Sequence, residues 1–178
     1  TSDGDDVKLA VSKSIINGSS DIDIGGRVMD IKSSAPWAFK NKWSKGFEAL
    51  LMSDDFGYVG QLFAYADAQK KPPGGWIVVD KSSGELLVVP VTATPSEIRA
   101  IRARRKETVR SLEQGAPFRR SFEANIETFN RKETGEKNLI KTCEFCNYKR
   151  PCWPEARLRP QKASKAKSPP LKWYLNVH

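Results

Sequence analysis

Two aspartates and one lysine are spaced so that they could act together on a bound metal ion. Asp21 lies before Gly25-Gly26, and Asp30 and Lys32 lie after it, in two runs where apolar and polar residues alternate. This period of two is that of half-buried β-strands. A Gly-Gly pair accepts the positive φ angles of a two-residue hairpin turn, so the strand register can be counted outward from it. The count places Asp21 opposite Asp30, with Lys32 on the same face.

Carboxylates so placed could share a divalent cation, which lowers the pKa of a bound water and stabilises charge on a phosphoryl oxygen. A lysine beside them could position that water or oppose the developing negative charge. The alternative is a polar hairpin face with ordinary solvated charges, because opposed like charges cost little stability when exposed. The other face of the hairpin is predicted to enter the core, and it carries Ile22, Ile24, Met29 and Ile31.

Composition narrows the class of partner. The 178 residues predict one domain, and 30 Lys and Arg against 21 Asp and Glu give a formal charge of +9. This excess favours a polyanion such as nucleic acid over an acidic protein surface or a membrane, although many structural proteins are equally basic. No apolar run approaches the roughly 20 residues of a membrane span, and no signal-peptide pattern is present. We therefore expect a cytoplasmic protein that does not enter a membrane.

Three cysteines, Cys143, Cys146 and Cys152, lie within ten residues. A Cys-x2-Cys knuckle presents two thiolates to one ion, and the third follows a short turn through Pro151. Zinc and an iron-sulfur cluster both normally take four protein ligands, and the only histidine is His178. The spacing predicts a metal site but does not separate zinc from an iron-sulfur cluster. The other interpretation is three unrelated buried thiols.

Three further stretches are typical of β-strands. Residues 7–16 are predicted to run antiparallel to the hairpin through a turn at Asn17-Gly18, which would make a three-stranded meander. The apolar runs 76–80 and 86–90 are predicted to join the same sheet and to be covered on both faces. Together with the helices below, these strands predict an α/β domain with a central mixed sheet flanked by helices.

Two helices have clear start signals. The first is predicted over 55–70, with Asp54 or Asp55 as the N-cap and a buried stripe of Val59, Leu62, Phe63 and Ala66. Gln61 and Tyr65 are four residues apart, so they project from one face beside that stripe. The second is predicted over 95–113, where Thr94-Pro95-Ser96-Glu97 forms a capping box. Its buried stripe is predicted to contain Ile98, Ile101, Val109 and Leu112.

Two basic stretches are candidates for contact with phosphates. Residues 33–53 interleave aromatic and basic side chains, and Trp37, Lys40 and Lys42 could stack on bases and neutralise phosphates. The alternative is that the aromatic residues there, Trp37, Trp43 and Phe47, cover the edge of the sheet. The flank of the second helix, with Arg102, Arg105 and Lys106, is a further candidate for DNA binding, although a solvated charged face is the simpler interpretation.

Taken together, these motifs resemble the PD-(D/E)xK nuclease superfamily, in particular its RecB-like branch. The resemblance rests on Ser20-Asp21, on Asp30-Ile31-Lys32 and on Gln61-x-x-x-Tyr65 in that order, and it covers residues 14–90. The Cys-x2-Cys-x5-Cys tail at 143–153 is similar to the iron-sulfur members of that branch. The sequences Asp-Ile-Lys-Ser-Ser-Ala-Pro at 30–36 and Gly-Tyr-Val-Gly-Gln-Leu-Phe-Ala-Tyr at 57–65 are similar to bacteriophage exonucleases of this type.

The resemblance implies a restriction-endonuclease-like (αβββαβ) core and a Mg2+- or Mn2+-dependent DNA exonuclease used in phage DNA recombination, replication or host-DNA degradation. Asp21, Asp30 and the Ile31 carbonyl would bind the metal, and Lys32 would orient the water. Gln61 and Tyr65 would complete the catalytic set and contact DNA. The three cysteines would hold a 4Fe-4S cluster, with Zn2+ as the alternative. Partners besides DNA would be a helicase or a single-strand annealing protein.

Three departures from the family pattern are visible. Ser20 stands where the family has proline, the upstream metal-binding histidine is missing, and so is the upstream fourth cysteine. We therefore expect residues 1–158 to be a nuclease domain without its N-terminal helix, followed by a flexible basic tail over 159–178.

A different class of function is a non-catalytic DNA-binding module of a larger assembly, with a structural metal knuckle. A decayed site of that kind should have lost a member of the Asp21, Asp30 and Lys32 set, which is intact here. A zinc-ribbon protein is disfavoured because only one knuckle is present.

Overall fold

A computed structural model describes residues 5–116, 120 and 122–175. The chain is a mixed α/β protein that divides into two compact units, Thr1–Ala116 and Pro117–His178. The sequence had suggested a boundary at residue 158 instead. The structure divides earlier because the residues after Ala116 build a sheet and an apolar cluster of their own. None of the helices in the described ranges is long and apolar enough to cross a membrane.

The first unit contains six strands in two sheets. They are β1 (Asp6–Val11), β2 (Ser14–Ser19), β3 (Ile22–Ile24), β4 (Arg27–Ser34), β5 (Pro73–Asp80) and β6 (Leu86–Pro90). β1 and β2 form a separate antiparallel hairpin, and the larger sheet has the order β3-β4-β5-β6. In that sheet β4 and β5 are parallel, and the other neighbours are antiparallel. The larger sheet is therefore mixed, as the sequence predicts.

Four α-helices complete this unit. They are α1 (Pro36–Asn41), α2 (Gly46–Met52), α3 (Tyr58–Gln69) and α4 (Pro95–Glu113), with a short 3-10 helix at Trp43–Lys45. The first three connect β4 to its parallel neighbour β5, as a crossover between parallel strands requires. α3 begins at Tyr58, later than predicted, and its N-cap residue is Gly57. The Asp54 carboxylate still accepts the N–H groups of Tyr58 at 2.6 Å and Val59 at 3.0 Å. The predicted capping box of α4 is confirmed.

The register counted from the Gly-Gly turn is confirmed. Ile22 pairs with Met29, and Ile24 pairs with Arg27 across a turn in which Gly25 and Gly26 have φ angles of 60° and 75°. The prediction for the first hairpin was wrong, because its turn lies at Ser12-Lys13 and the predicted turn residues lie inside β2. No three-stranded meander forms, since β1 and β2 pair only with each other in the described ranges.

Gly18 explains that error, because it serves a close approach rather than a turn. A Cβ atom at this position would lie 2.6 Å from Cε1 of Tyr65 on α3. A side chain here would therefore push the ring of Tyr65 away from β2.

The core lies on the opposite face of the sheet from the one predicted. Val28 and Trp76 are fully buried in one cluster with Leu62 of α3, so the helices cover the face that carries Asp30. Of the four residues expected in the core, Met29 is buried and Ile22 is half-buried, whereas Ile24 and Ile31 are exposed, Ile31 to 45%. Alternate apolar residues of β6, Leu86 and Val88, are also exposed, so the prediction of a sheet covered on both faces was wrong.

The apolar stripes of the two long helices differ in how closely they match the prediction. All four predicted residues of the α3 stripe are buried. Of the α4 stripe only Val109 is buried, and Leu112 is exposed. The sequence overstates the α4 stripe because the helix rests on the domain through ion pairs as well as apolar contacts, as described below.

The second unit is a four-stranded antiparallel sheet with two short helices. Its elements are β7 (Asn125–Phe129), β8 (Lys132–Asn138), α5 (Lys141–Phe145), α6 (Lys149–Cys152), β9 (Ala156–Pro160) and β10 (Leu171–Leu175), in the sheet order β7-β8-β10-β9. Its apolar cluster contains Leu139, Cys143, Trp153 and Ala156.

The described part of the expected flexible tail, 159–175, contributes to this second sheet, and 176–178 lie outside the described residues. β9 and β10 pair over their whole length, from Leu171 opposite Pro160 to Leu175 opposite Ala156. The buried carboxylate of Glu127 helps to hold β10, because it accepts hydrogen bonds from the Tyr174 hydroxyl at 2.6 Å and from Gln161 Nε2 at 2.8 Å. Lysine-rich composition suggested mobility, whereas a buried carboxylate supplies specific partners for these residues.

We predict that Gly75→Ala destabilises the protein by at least about 2 kcal/mol, because strain at a special backbone conformation adds to a steric clash. Gly75 has a φ of 143°, and a Cβ there would overlap the Val89 carbonyl oxygen. Gly60→Ala is the matched control, since its Cβ would meet nothing within 4 Å and it lies within α3. That change should stabilise by roughly 0.5–1 kcal/mol through helix propensity. Urea unfolding gives the stability of both variants, and equal stabilities would contradict the close approach of β5 to β6 at Gly75.

Candidate active site

The site is centred on a buried ion pair on β4. Asp30 is 1% exposed, and its Oδ1 atom accepts a hydrogen bond from Lys32 Nζ at 3.0 Å. Its Oδ2 atom lies 2.8 Å from the same nitrogen, but it has no hydrogen-bond partner of good geometry. Both side chains point to the face covered by helices, because they are two residues apart on one strand. A carboxylate oxygen is thus buried beside a single cation and is left under-satisfied.

Asp21 joins this pair from the start of β3. Its Oδ2 atom accepts a hydrogen bond from the backbone N–H of Ile31 at 2.7 Å. If β3 were longer, a main-chain carbonyl of that strand would accept this N–H instead. The next pair in the register would be Asp21 and Asp30, at a non-hydrogen-bonded position, where opposed side chains come closest. In an extended strand the N–H and C=O of one residue point to the same side, so the Ile31 carbonyl faces the edge occupied by Asp21.

The electrostatics of Asp30 follow from this environment. Burial raises the pKa of Asp30 to about 6, Lys32 opposes the rise, and the nearby Asp21 carboxylate adds to it. A buried carboxylate with a raised pKa is held at a cost, because one ammonium does not replace the water it has lost. A divalent cation between the two carboxylates would remove that cost, so these residues fit a hard metal ion.

The Gln-x-x-x-Tyr motif of α3 lies against Lys32. Gln61 Oε1 accepts a hydrogen bond from Lys32 Nζ at 3.1 Å, and Gln61 Nε2 donates to the Tyr65 hydroxyl at 2.9 Å. The ring of Tyr65 in turn occupies the space left by Gly18. The structure therefore brings together all five residues predicted as catalytic, in a chain of contacts that fixes the lysine ammonium.

The sequence analysis noted Ser20 only as a departure from the family pattern and missed Gln69, and these two residues support the site. Ser20 is buried, and its hydroxyl accepts a hydrogen bond from Gln69 Nε2 at 2.6 Å, while its backbone N–H donates to the Asp5 carbonyl at 3.1 Å. These bonds hold the residue that precedes Asp21. The signal was present, because Gln61, Tyr65 and Gln69 follow one another at intervals of four and so share one helical face.

The candidate DNA-binding residues have different surroundings. Trp37 is exposed, whereas Trp43 and Phe47 are buried in the core, so two of the three aromatic residues cover the sheet. Lys40 is exposed, and Lys42 donates from Nζ to the Ser53 carbonyl at 2.9 Å.

The predicted basic flank of α4 is partly used inside the fold. Arg102 and Arg105 both bind the carboxylate of Asp67 on α3. Burial acts to raise the pKa of Asp67, but the two guanidinium groups outweigh it and hold that pKa below its usual range. These arginines fasten α4 to α3, although Arg102 is still about half exposed, and Lys106 is exposed too.

The three cysteines lie together in the second unit. Burial raises the pKa of the Cys143 thiol, and the neighbouring sulfurs of Cys152 and Cys146 add to the rise. Cys146 Sγ accepts the backbone N–H of Tyr148 at 3.4 Å. Over the described ranges no three Cys, His, Asp or Glu side chains are gathered as a metal site. A metal bound by the three sulfurs therefore remains a prediction.

The raised pKa of Asp30 predicts a pH dependence of stability in metal-free buffer. The folded protein keeps the Asp30 proton up to about pH 6, whereas an unfolded aspartate loses it near pH 4. Because the folded state binds more protons in this window, the contribution of Asp30 to stability falls as the pH rises from about 4 to 6, by roughly 2–3 kcal/mol.

The check is urea unfolding in EDTA across that range, with Asp30→Asn as the reference. The stability difference, wild type minus variant, should decline up to about pH 6 and be level above it, because Asp30 loses its proton over this range and the variant has no titratable group at this position. A difference that is flat or rises with pH would show that Asp30 ionises without cost.

Comparison with known proteins identifies no relative of this chain. The chain matches no family model, no curated protein and no solved structure. The geometry around Asp30 and the motifs quoted above are therefore the basis of any functional inference.

Proposed function

We propose that this protein is a divalent-metal-dependent deoxyribonuclease of the PD-(D/E)xK type, acting as an exonuclease. One observation carries the proposal. Asp30 is buried with an under-satisfied oxygen, between a second carboxylate and a lysine that is itself fixed by Gln61. Such an arrangement is costly for a fold to keep and is useful for chemistry on a phosphodiester, since perturbed carboxylates concentrate at functional sites.

Asp21, Asp30 and the Ile31 carbonyl would hold Mg2+ or Mn2+. The ion would supply Lewis acidity and lower the pKa of a bound water. Lys32 would orient that water or steady the negative charge of the transition state, because its ammonium is held at the carboxylate pair. Gln61 and Tyr65 would keep the ammonium in place, so that the site is ordered before substrate arrives.

The architecture supports the finer assignment of a restriction-endonuclease-like core. Two antiparallel hairpins precede a helical crossover, which leads into a strand parallel to the one that carries Asp30. This order of strands, helix and strand is compatible with the αβββαβ core that the motifs imply.

DNA is the substrate that the charge favours, since the chain has a formal charge of +9. Trp37, Lys40, Lys42 and Lys106 would contact DNA through stacking and phosphate neutralisation. A role in phage DNA recombination, replication or host-DNA degradation, with a helicase or a single-strand annealing protein as partner, extends the same resemblance.

We predict that Asp30→Asn lowers divalent-dependent cleavage of linear DNA at least roughly 100-fold. Losing a residue that only supports a metal ligand already lowers activity by about 10- to 100-fold, and losing the charge of a ligand itself should lower it more. Asp23→Asn is the matched control. Asp23 lies on the same hairpin, but Lys71 already binds its carboxylate at 2.7 Å. End-labelled linear and closed circular DNA, each with and without Mg2+ or Mn2+, are the substrates. Unchanged turnover in Asp30→Asn would contradict the nuclease and favour a non-catalytic DNA-binding module.

Lys32→Ala should lower turnover more than DNA affinity, because an ammonium aimed at the reacting centre acts mainly in the transition state. Lys40→Ala should show the reverse, with weaker binding and a smaller salt dependence, because it removes a phosphate contact. Single-turnover rates and binding titrations at several salt concentrations separate the two. Equal losses of affinity in both variants would make Lys32 a simple phosphate contact.

The cysteines are proposed to hold a 4Fe-4S cluster, or Zn2+ as the alternative. Cys152→Ser should remove the bound metal, since thiolate ligands are required for either group. Iron, zinc and sulfide content with an absorbance spectrum, measured on anaerobically purified protein, distinguishes the two. Metal-free wild-type protein that folds normally would show that the three thiols have a structural role only.

A further inference from the structure

A row of stacked aromatic rings connects Lys32 to the protein surface. Lys32 Nζ lies 5.3 Å from the centre of the Tyr58 ring. Tyr58 stacks on Trp43 at 5.4 Å and on Phe56 at 5.6 Å, with 26° between the ring planes in each case. Trp43 is buried in the core, whereas Phe56 is 67% exposed. The row therefore begins in the core, passes beside the candidate active site and ends in an open ring.

A single exposed phenylalanine needs no explanation, but an exposed ring held in a fixed orientation is informative. Tyr58 supports one face of Phe56, and the ammonium of Lys42 lies over the same ring, 5.6 Å from its centre. Lys42 is itself held by the Ser53 carbonyl at 2.9 Å. An exposed aromatic ring with a lysine ammonium over it brings together the two kinds of group with which proteins bind single-stranded nucleic acid.

We propose that Phe56 is a stacking platform for an unpaired base of the DNA strand whose phosphate lies at Asp30 and Lys32. Lys42 would contact a phosphate of the same strand. This assignment rests on the proposed function, because it names the substrate of that site as a single strand or a frayed end. Bases inside a duplex are already stacked on both faces, so they do not offer a free face to Phe56 unless they leave the stack.

The competing explanation is that Phe56 only covers the aliphatic stem of Lys42. An apolar side chain of similar size without a π-face would serve that purpose equally well. Phe56→Leu therefore separates the two explanations, and Phe56→Trp should preserve or improve stacking. Met52→Ala is the matched control, because Met52 is 90% exposed at the end of α2 and has no ring.

The test is a binding titration in EDTA, using a single-stranded oligonucleotide that contains 2-aminopurine, whose fluorescence is quenched by stacking. Phe56→Ala and Phe56→Leu should weaken binding about 5- to 150-fold and reduce the quenching, in line with the loss of one base–aromatic stack. Phe56→Trp and Met52→Ala should bind as the wild type does. On a blunt duplex with 2-aminopurine at its centre, all the variants should bind equally.

Three outcomes would contradict the proposal that Phe56 stacks on an unpaired base. They are wild-type affinity and quenching in Phe56→Leu, an equal loss on single strand and blunt duplex, and failure of the wild type to bind the single strand. Thermal unfolding of each variant provides the fold control, because an exposed ring contributes little to stability.

Failure of the platform and failure of the proposed function can be told apart. The titration is metal-free and requires no turnover. If the wild type cleaves no DNA in Mg2+ or Mn2+ but shows quenching that depends on Phe56, the nuclease proposal is contradicted and the stacking proposal is supported. If the wild type cleaves DNA and Phe56→Leu binds the single strand with full affinity, the nuclease proposal is supported and the stacking proposal is contradicted.

Discussion

The burial of the Asp30 carboxylate is the constraint on which the first unit depends. An ionised group that has lost its water must find charge partners and hydrogen bonds within the fold. Lys32 supplies one cation, and because burial still raises the pKa of Asp30, that cation is not enough. The remaining elements of the site follow from this need, since Gln61 fixes the lysine and Tyr65 fixes the glutamine.

This constraint also explains how the sheet and helices are arranged. α1 to α3 pack on the face of the sheet that carries Asp30, and their apolar side chains surround it with Trp76, Val28 and Val78. The packing that stabilises the unit is thus the packing that removes water from the carboxylate. A conventional core on the other face would have left Asp30 solvated and its pKa near the ordinary value.

Much of the site was predictable because it depends on local rules. The Gly-Gly turn fixed the register that places Asp21 beside Asp30, and helical spacing placed Gln61 and Tyr65 together. What failed was the choice of the buried face. Both faces of the hairpin region carry apolar residues, and the carboxylates suggested solvent, whereas Asp30 is buried by helices whose packing on the sheet cannot be read from the local pattern. The turn at Asn17-Gly18 failed for a related reason, since Gly18 is small to admit Tyr65. The early boundary at Ala116 depends on which strands pair, and the single sequence does not contain that information.

The most direct measurement of the central claim is the proton count on binding Mn2+. Binding a metal to a partly protonated carboxylate releases protons. Calorimetric titration at about pH 6, in two buffers of different ionisation enthalpy, should show saturable binding with release of a fraction of a proton, and release should disappear at pH 8. Asp30→Asn should lose both the binding and the release, while Asp23→Asn should keep them. Absence of saturable binding in the wild type, or identical proton release in Asp30→Asn, would contradict a cation site built on the buried carboxylate.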